Sequence, residues 1–116
     1  MSTKALAVEP PTCPISAAGG RSEHLLINQA AARLAFKVKS TNNSNYRVNP
    51  NMGFIEVGGQ IKMEITRIAG KPKADRLVIL FDMVDAAETD YTKPFKPGAL
   101  HTDLYGEFTV KLSAAE

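Results

Sequence analysis

The sequence predicts an all-β fold built as two packed antiparallel sheets, and three observations predict it. Apolar and polar residues alternate in several short runs, turn-forming residues separate those runs, and 116 residues are enough for one two-layer core but not for two. An alternation with period two puts one face of a segment against a core and the other in water. About seven such segments in a chain of this length give a seven-stranded antiparallel β-sandwich of immunoglobulin-like form, with residues 1–116 as a single domain. There is no tryptophan, and Cys13 is the one cysteine, so the buried disulfide and tryptophan of antibody domains are not available.

Taken in order, Ala5–Val8 and Cys13–Ala18 are short apolar runs interrupted by Glu9-Pro10-Pro11. Proline is tolerated at a sheet edge, where one side of the strand has no ladder to supply, so the two runs read as one split edge strand. His24–Asn28 reads as a compact strand; the Gln29–Ala32 segment after it fits a loop or a helical turn. Leu34, Phe36 and Val38 alternate with Lys37 and Lys39, giving a strand with one core face and one basic face. A polar turn follows, then a second strand from Tyr46 that ends on Pro50. Gly58-Gly59 reads as a hairpin turn between Phe54–Val57 and Ile61–Ile68.

Arg76–Met83 is the most apolar run and reads as a central strand. Leu77, Ile79 and Phe81 share one parity, but Val78 and Leu80 are apolar too, so its outward face wants a cover. Asp82–Asp90 is acidic and Tyr91–Gly98 carries two prolines; together they make a long connection of the kind that serves function or moves. Leu104–Leu112 closes the chain with a clean alternation.

Charge and chemistry narrow the function. Fourteen Lys and Arg against 12 Asp and Glu leave a formal charge of +2, too small to argue for nucleic acid. The chain shows no long apolar run for a membrane anchor and no secretory leader, and a single cysteine points to the cytosol. His24 falls in a strand and His101 in a loop near Asp103, and no motif ties either to a nucleophile or a metal cluster. Gly19-Gly20 and Gly58-Gly59 open no helix that would cradle phosphate. The expectation is a non-enzymatic protein with no cofactor and no metal.

Phe36-Lys37-Val38-Lys39-Ser40-Thr41, then Tyr46-Arg47-Val48-Asn49-Pro50-Asn51-Met52-Gly53, then Phe54-Ile55-Glu56 and a Gly-Gly pair, resemble the signature of the major sperm protein domain. The same domain forms the cytosolic part of the VAMP-associated proteins of the endoplasmic reticulum. Val8-Glu9-Pro10-Pro11 and Gly106–Leu112 are most similar to the small nematode sperm-specific members, a group that includes modulators of major sperm protein fibres. The resemblance implies a protein-association domain of the sperm pseudopod cytoskeleton. Its implied partners are major sperm protein filaments or other domains of the family. Pro50 matches the family proline that bends a strand as it passes between sheets, Gly53 belongs to the same signature, and a plain strand terminator is the simpler reading of the proline.

The VAMP-associated members bind an acidic, two-phenylalanine peptide motif on their basic strand face. By position, Lys37, Lys39, Ser40 and Thr41 match half of that groove, Arg76 stands at a lysine position and Val78 at a methionine position. Lysines on a strand face attract carboxylates or phosphate; the plainer reading is a solvated face that discourages edge pairing. The segment from Asp82 through Asp85 to Glu88 has the spacing of such a peptide without its aromatics. It raises a further expectation, that this acidic loop of one copy docks on Lys37, Lys39 and Arg76 of the next.

Overall fold

A computed structural model describes residues 5–115, with the side chain of Ala115 left aside. The described residues form nine strands: β1 (Leu6–Glu9), β2 (Thr12–Ser16), β3 (Gly20–Asn28), β4 (Leu34–Ser40), β5 (Tyr46–Asn49), β6 (Met52–Ile55), β7 (Gln60–Arg67), β8 (Ala74–Met83) and β9 (Gly106–Ala115). The one helical element among them is a 3₁₀ turn at Lys93–Phe95. No helix among the described residues is long and apolar enough to cross a membrane. The strands make a four-stranded sheet in the order β1-β3-β7-β5 and a five-stranded sheet in the order β2-β9-β8-β4-β6. Every pairing is antiparallel except β2 with β9.

The alternating residues meet between the sheets. Leu26, Met63 and Ile65 from the four-stranded sheet pack against Phe36, Leu77, Ile79, Phe81, Val110 and Leu112 from the five-stranded one. Each of these side chains is at most 2% exposed, so the inward parity of every long strand is removed from water. The Ig-like sandwich expected from the sequence is the observed fold, with nine strands among the described residues instead of seven and one parallel pairing, because the proline-split first segment supplies an edge to each sheet.

Several local expectations need correction, some in which strands pair and some in where strands begin. Gly58-Gly59 is not a hairpin turn: β6 pairs with β4, whereas β7 pairs with β3 and β5, so the glycines carry the chain from one sheet to the other. The split edge strand is two edges, since β1 borders the four-stranded sheet and β2 the five-stranded one. The compact strand at His24 extends back to Gly20, because the turn before it closes at Gly19, with φ 112° and its N–H on the Ser16 carbonyl at 3.1 Å. Residues 29–32 form an open loop held by Asn28, whose amide donates to the carbonyls of Ala32 and Ile55. The last strand begins at Gly106, not Leu104. Pro50, after a cis peptide bond, sits between β5 and β6, where the chain leaves the four-stranded sheet for the five-stranded one. Gly53 is opposite Phe36, and a Cβ there would lie 3.2 Å from the Phe36 ring.

Candidate peptide-binding face

β4 lies between β6 and β8, so its outward residues present a continuous face rather than an edge. Because Phe36 and Val38 turn inward, Lys37 and Lys39 turn outward. Across the ladder Lys37 is opposite Leu80 and Lys39 opposite Val78; one step on, the Thr41 N–H donates to the Arg76 carbonyl at 3.1 Å. Arg76 in turn is opposite Lys111 of β9, and Val78 opposite Thr109. The fold therefore brings Lys37, Lys39, Arg76 and Val78 onto one surface and adds Lys111, which the sequence reading missed. Lys37, Lys39, Arg76 and Lys111 form no ion pair with another described residue. Arg76 and Lys111 face each other as like charges, an arrangement that costs a sheet stability unless an anion relieves it.

Two expected members of the groove behave differently. Ser40 is opposite Leu77 and so has the inward parity; its hydroxyl accepts from the Asn42 N–H at 3.0 Å, and it lines a separate recess with Val38 and Arg47. Ser40 is therefore not beside the lysines. Thr41 is at the right end of the face, but its hydroxyl already donates to Asp75 Oδ1 and accepts from the Arg76 N–H, both at 3.1 Å.

The outward Leu80 finds its cover in the long connection, and is 8% exposed. The 3₁₀ turn lays the buried Pro94 and the half-buried Phe95 over the face. Between this turn and β4 is a recess of about 160 Å³ with Lys37, Lys39 and Lys96 around it and Leu80 and Phe95 among its walls. His101 and Tyr105 close its far side, their rings stacked with centroids 3.8 Å apart. A second recess, of about 450 Å³, lies beside Arg76, Lys73, Lys111 and Thr109. Nothing in the sequence pattern of the connection pointed to Lys96, His101 or Tyr105, because they join the face only through its folding back.

The acidic segment is mostly occupied within the molecule. Asp82 is not in a loop but in β8, 1% exposed, where its carboxylate accepts from the Thr102 hydroxyl, the Thr102 and Met83 N–H groups and His101 Nδ1. Glu88 pairs with Lys93 at 3.1 Å, and that contact holds its carboxyl below its ordinary pKa. Only Asp85 stays exposed among the three. Next in the connection, Asp90 is drawn down to about 2 by the Thr92 hydroxyl and then by Lys96. Arg33 fastens the start of the connection: Nη1 donates to the Glu88 carbonyl at 2.6 Å, Nε pairs with Glu56 at 2.9 Å, and the guanidinium lies 3.7 Å above the Phe54 ring.

The remaining candidates for chemistry are part of the core. Cys13 is fully buried and burial raises its thiol pKa, which disfavours the thiolate that a nucleophile needs. His24 is 1% exposed, bonded to the Ser22 hydroxyl and the Pro10 carbonyl. Among the described residues no three His, Cys, Asp or Glu side chains come together as a metal site.

The family model described as MSP (Major sperm protein) domain matches residues 5–103. The chain belongs to the major sperm protein domain family. Within this family it is 48% identical over 108 residues to sperm-specific class P protein 34 of Caenorhabditis elegans, an alignment that covers 93% of this chain and 97% of the relative. Among solved structures, WR4, a C. elegans MSP family member, superposes with a TM-score of 0.89 at 46% identity over 97% of this chain and 100% of the other. SSP-19, an MSP-domain protein like family member of the same nematode, gives 0.86 at 39% identity, covering 96% and 100%. This MSP domain is thus similar along nearly its whole length to a sperm-specific class P protein.

Proposed function

We propose that this MSP-domain protein is a non-enzymatic cytoskeletal protein of nematode sperm, a component or regulator of major sperm protein filaments in the cytoplasm of the motile pseudopod. The observation that supports the reading is the near-full-length similarity to a sperm-specific class P protein of C. elegans. Its partners are then the filaments themselves or other MSP-domain proteins. The test is fibre growth in sperm extract with and without the purified protein, together with co-sedimentation. A changed growth rate and recovery in the fibre pellet are expected; protein left in the supernatant and unaltered growth would sink the proposal.

A second reading, an adaptor for acidic peptides, draws on Lys37, Lys39, Arg76 and Lys111 along one face, none of them in an ion pair with another described residue. In this reading an extended acidic segment lies across β4 and β8, with carboxylates on the cations and an apolar side chain against Val78. Binding should weaken with salt and fall about fivefold or more on Lys39→Glu. The head-to-tail contact between copies is a narrower form of the same idea. It retains Asp85 as its one exposed carboxylate, and unchanged self-association of Lys39→Glu in light scattering would exclude it.

A further inference from the structure

We propose that His101 makes the basic face pH-sensitive: protonation of its ring adds a positive charge to the Lys37–Lys39–Lys96 recess and tightens that face's grip on an anionic partner. The inference rests on the second reading, in which the face takes acidic peptides. It follows from where the ring is held and by what.

His101 lines the recess with the three lysines, so a charge on it acts on whatever anion they hold. Its side chain is 42% exposed, whereas its partner Asp82 is 1% exposed. Nδ1 lies 3.3 Å from Asp82 Oδ2. A carboxylate oxygen accepts, so Nδ1 carries a proton in both ring states and the nitrogen that gains or loses one is Nε2. The ring can therefore change charge without giving up Asp82. Stacking on Tyr105 at 3.8 Å and the clamp of the neighbouring Thr102 on the same carboxylate keep it in place. The charge thus appears at a fixed position beside the lysines. The groups around the ring are Asp82 of β8, Lys37 and Lys39 of β4, Lys96 after the 3₁₀ turn, whose ammonium pairs with Asp90 at 3.0 Å, and Tyr105 before β9. Glu107 of β9 lies one strand away, opposite Leu80.

An added surface charge beside a bound carboxylate changes affinity by about fivefold. Between about pH 8 and pH 6 the carboxylates of a peptide stay ionised, and histidine is the side-chain class whose charge changes around that range. The probe is a fluorescent oligo-aspartate peptide, titrated against the full chain across that range at constant ionic strength. Binding by the wild type should tighten about fivefold as pH falls, and His101→Gln and His101→Phe should lose that slope. The ring signal of His101 in an NMR pH titration should move to higher pH when the peptide is present, by the same factor that protonation gives to peptide affinity. A slope retained in both variants, or a flat wild-type profile with binding intact, would overturn the proposal and leave the second reading standing. Absence of binding at every pH would remove both. Loss of binding in Lys39→Glu across the whole range identifies the face as the site, independently of the slope.

Discussion

Asp82 is the residue on which the covered part of the sheet depends. A carboxylate 1% exposed is tolerable only where donors surround it, and here the Thr102 hydroxyl and N–H, the Met83 N–H and His101 supply them. Asp82→Ala leaves those donors without an acceptor and should cost about 2–3 kcal/mol, read as a lower urea midpoint. Asp82→Asn keeps the shape but turns an amide N–H₂ toward donors, and should fall between. Gly106 is the other residue without slack. A Cβ there would lie 2.7 Å from Cζ of the buried Phe81 ring, so Gly106→Ala should destabilise by about 1–3 kcal/mol. A variant with wild-type stability would show that the ring has room to move.

At the scale of elements, the connection between β8 and β9 is a structured cover tied down by charge. Asp90 sits in its turn, and the Thr92 hydroxyl and Lys96 hold its carboxyl at about 2, below its ordinary range. A carboxyl depressed in the folded state adds stability above its unfolded pKa and loses it as pH falls through the folded value. Its contribution should therefore fade between about pH 4 and pH 2. Wild type and Asp90→Asn, compared by urea unfolding, should differ at neutral pH and converge toward pH 2; a constant gap would exclude the assignment. The strands themselves were legible in the sequence because alternation is a local property: Leu34–Lys39, Ile61–Thr66 and Arg76–Met83 all lie where their patterns placed them. Pairing was less so. Gly58-Gly59 has the chemistry of a hairpin, and nothing local tells a turn within a sheet from a step between sheets. The same limit governs the face. The alternation of β4 put Lys37 and Lys39 outward, but Ser40, carried over by resemblance, has the opposite parity. Lys96, His101 and Tyr105 join only through long-range folding of a segment with no period.

Those steps between sheets decide how the whole molecule unfolds. The chain passes from one sheet to the other between β1 and β2, β2 and β3, β3 and β4, β4 and β5, β5 and β6, β6 and β7, and β7 and β8. Neither sheet is a contiguous stretch, so neither closes without the other, and their shared core of Phe36, Ile65, Leu77, Ile79 and Phe81 belongs to both. Asn28, at the end of β3, strengthens the tie by donating to the Ile55 carbonyl of β6 at 3.0 Å. A domain wired in this way should open as one unit. Native-state hydrogen exchange provides the measurement: amides of the central pairs β3–β7 and β4–β8 should report unfolding free energies within about 1 kcal/mol of each other, while those of residues 84–105 exchange at lower cost. If one sheet's central amides exchanged several kcal/mol more easily than the other's, the sheets would be separate cooperative units. If the weaker one were the five-stranded sheet, which carries Lys37, Lys39, Arg76 and Lys111, the basic face would lose its form ahead of the rest of the domain.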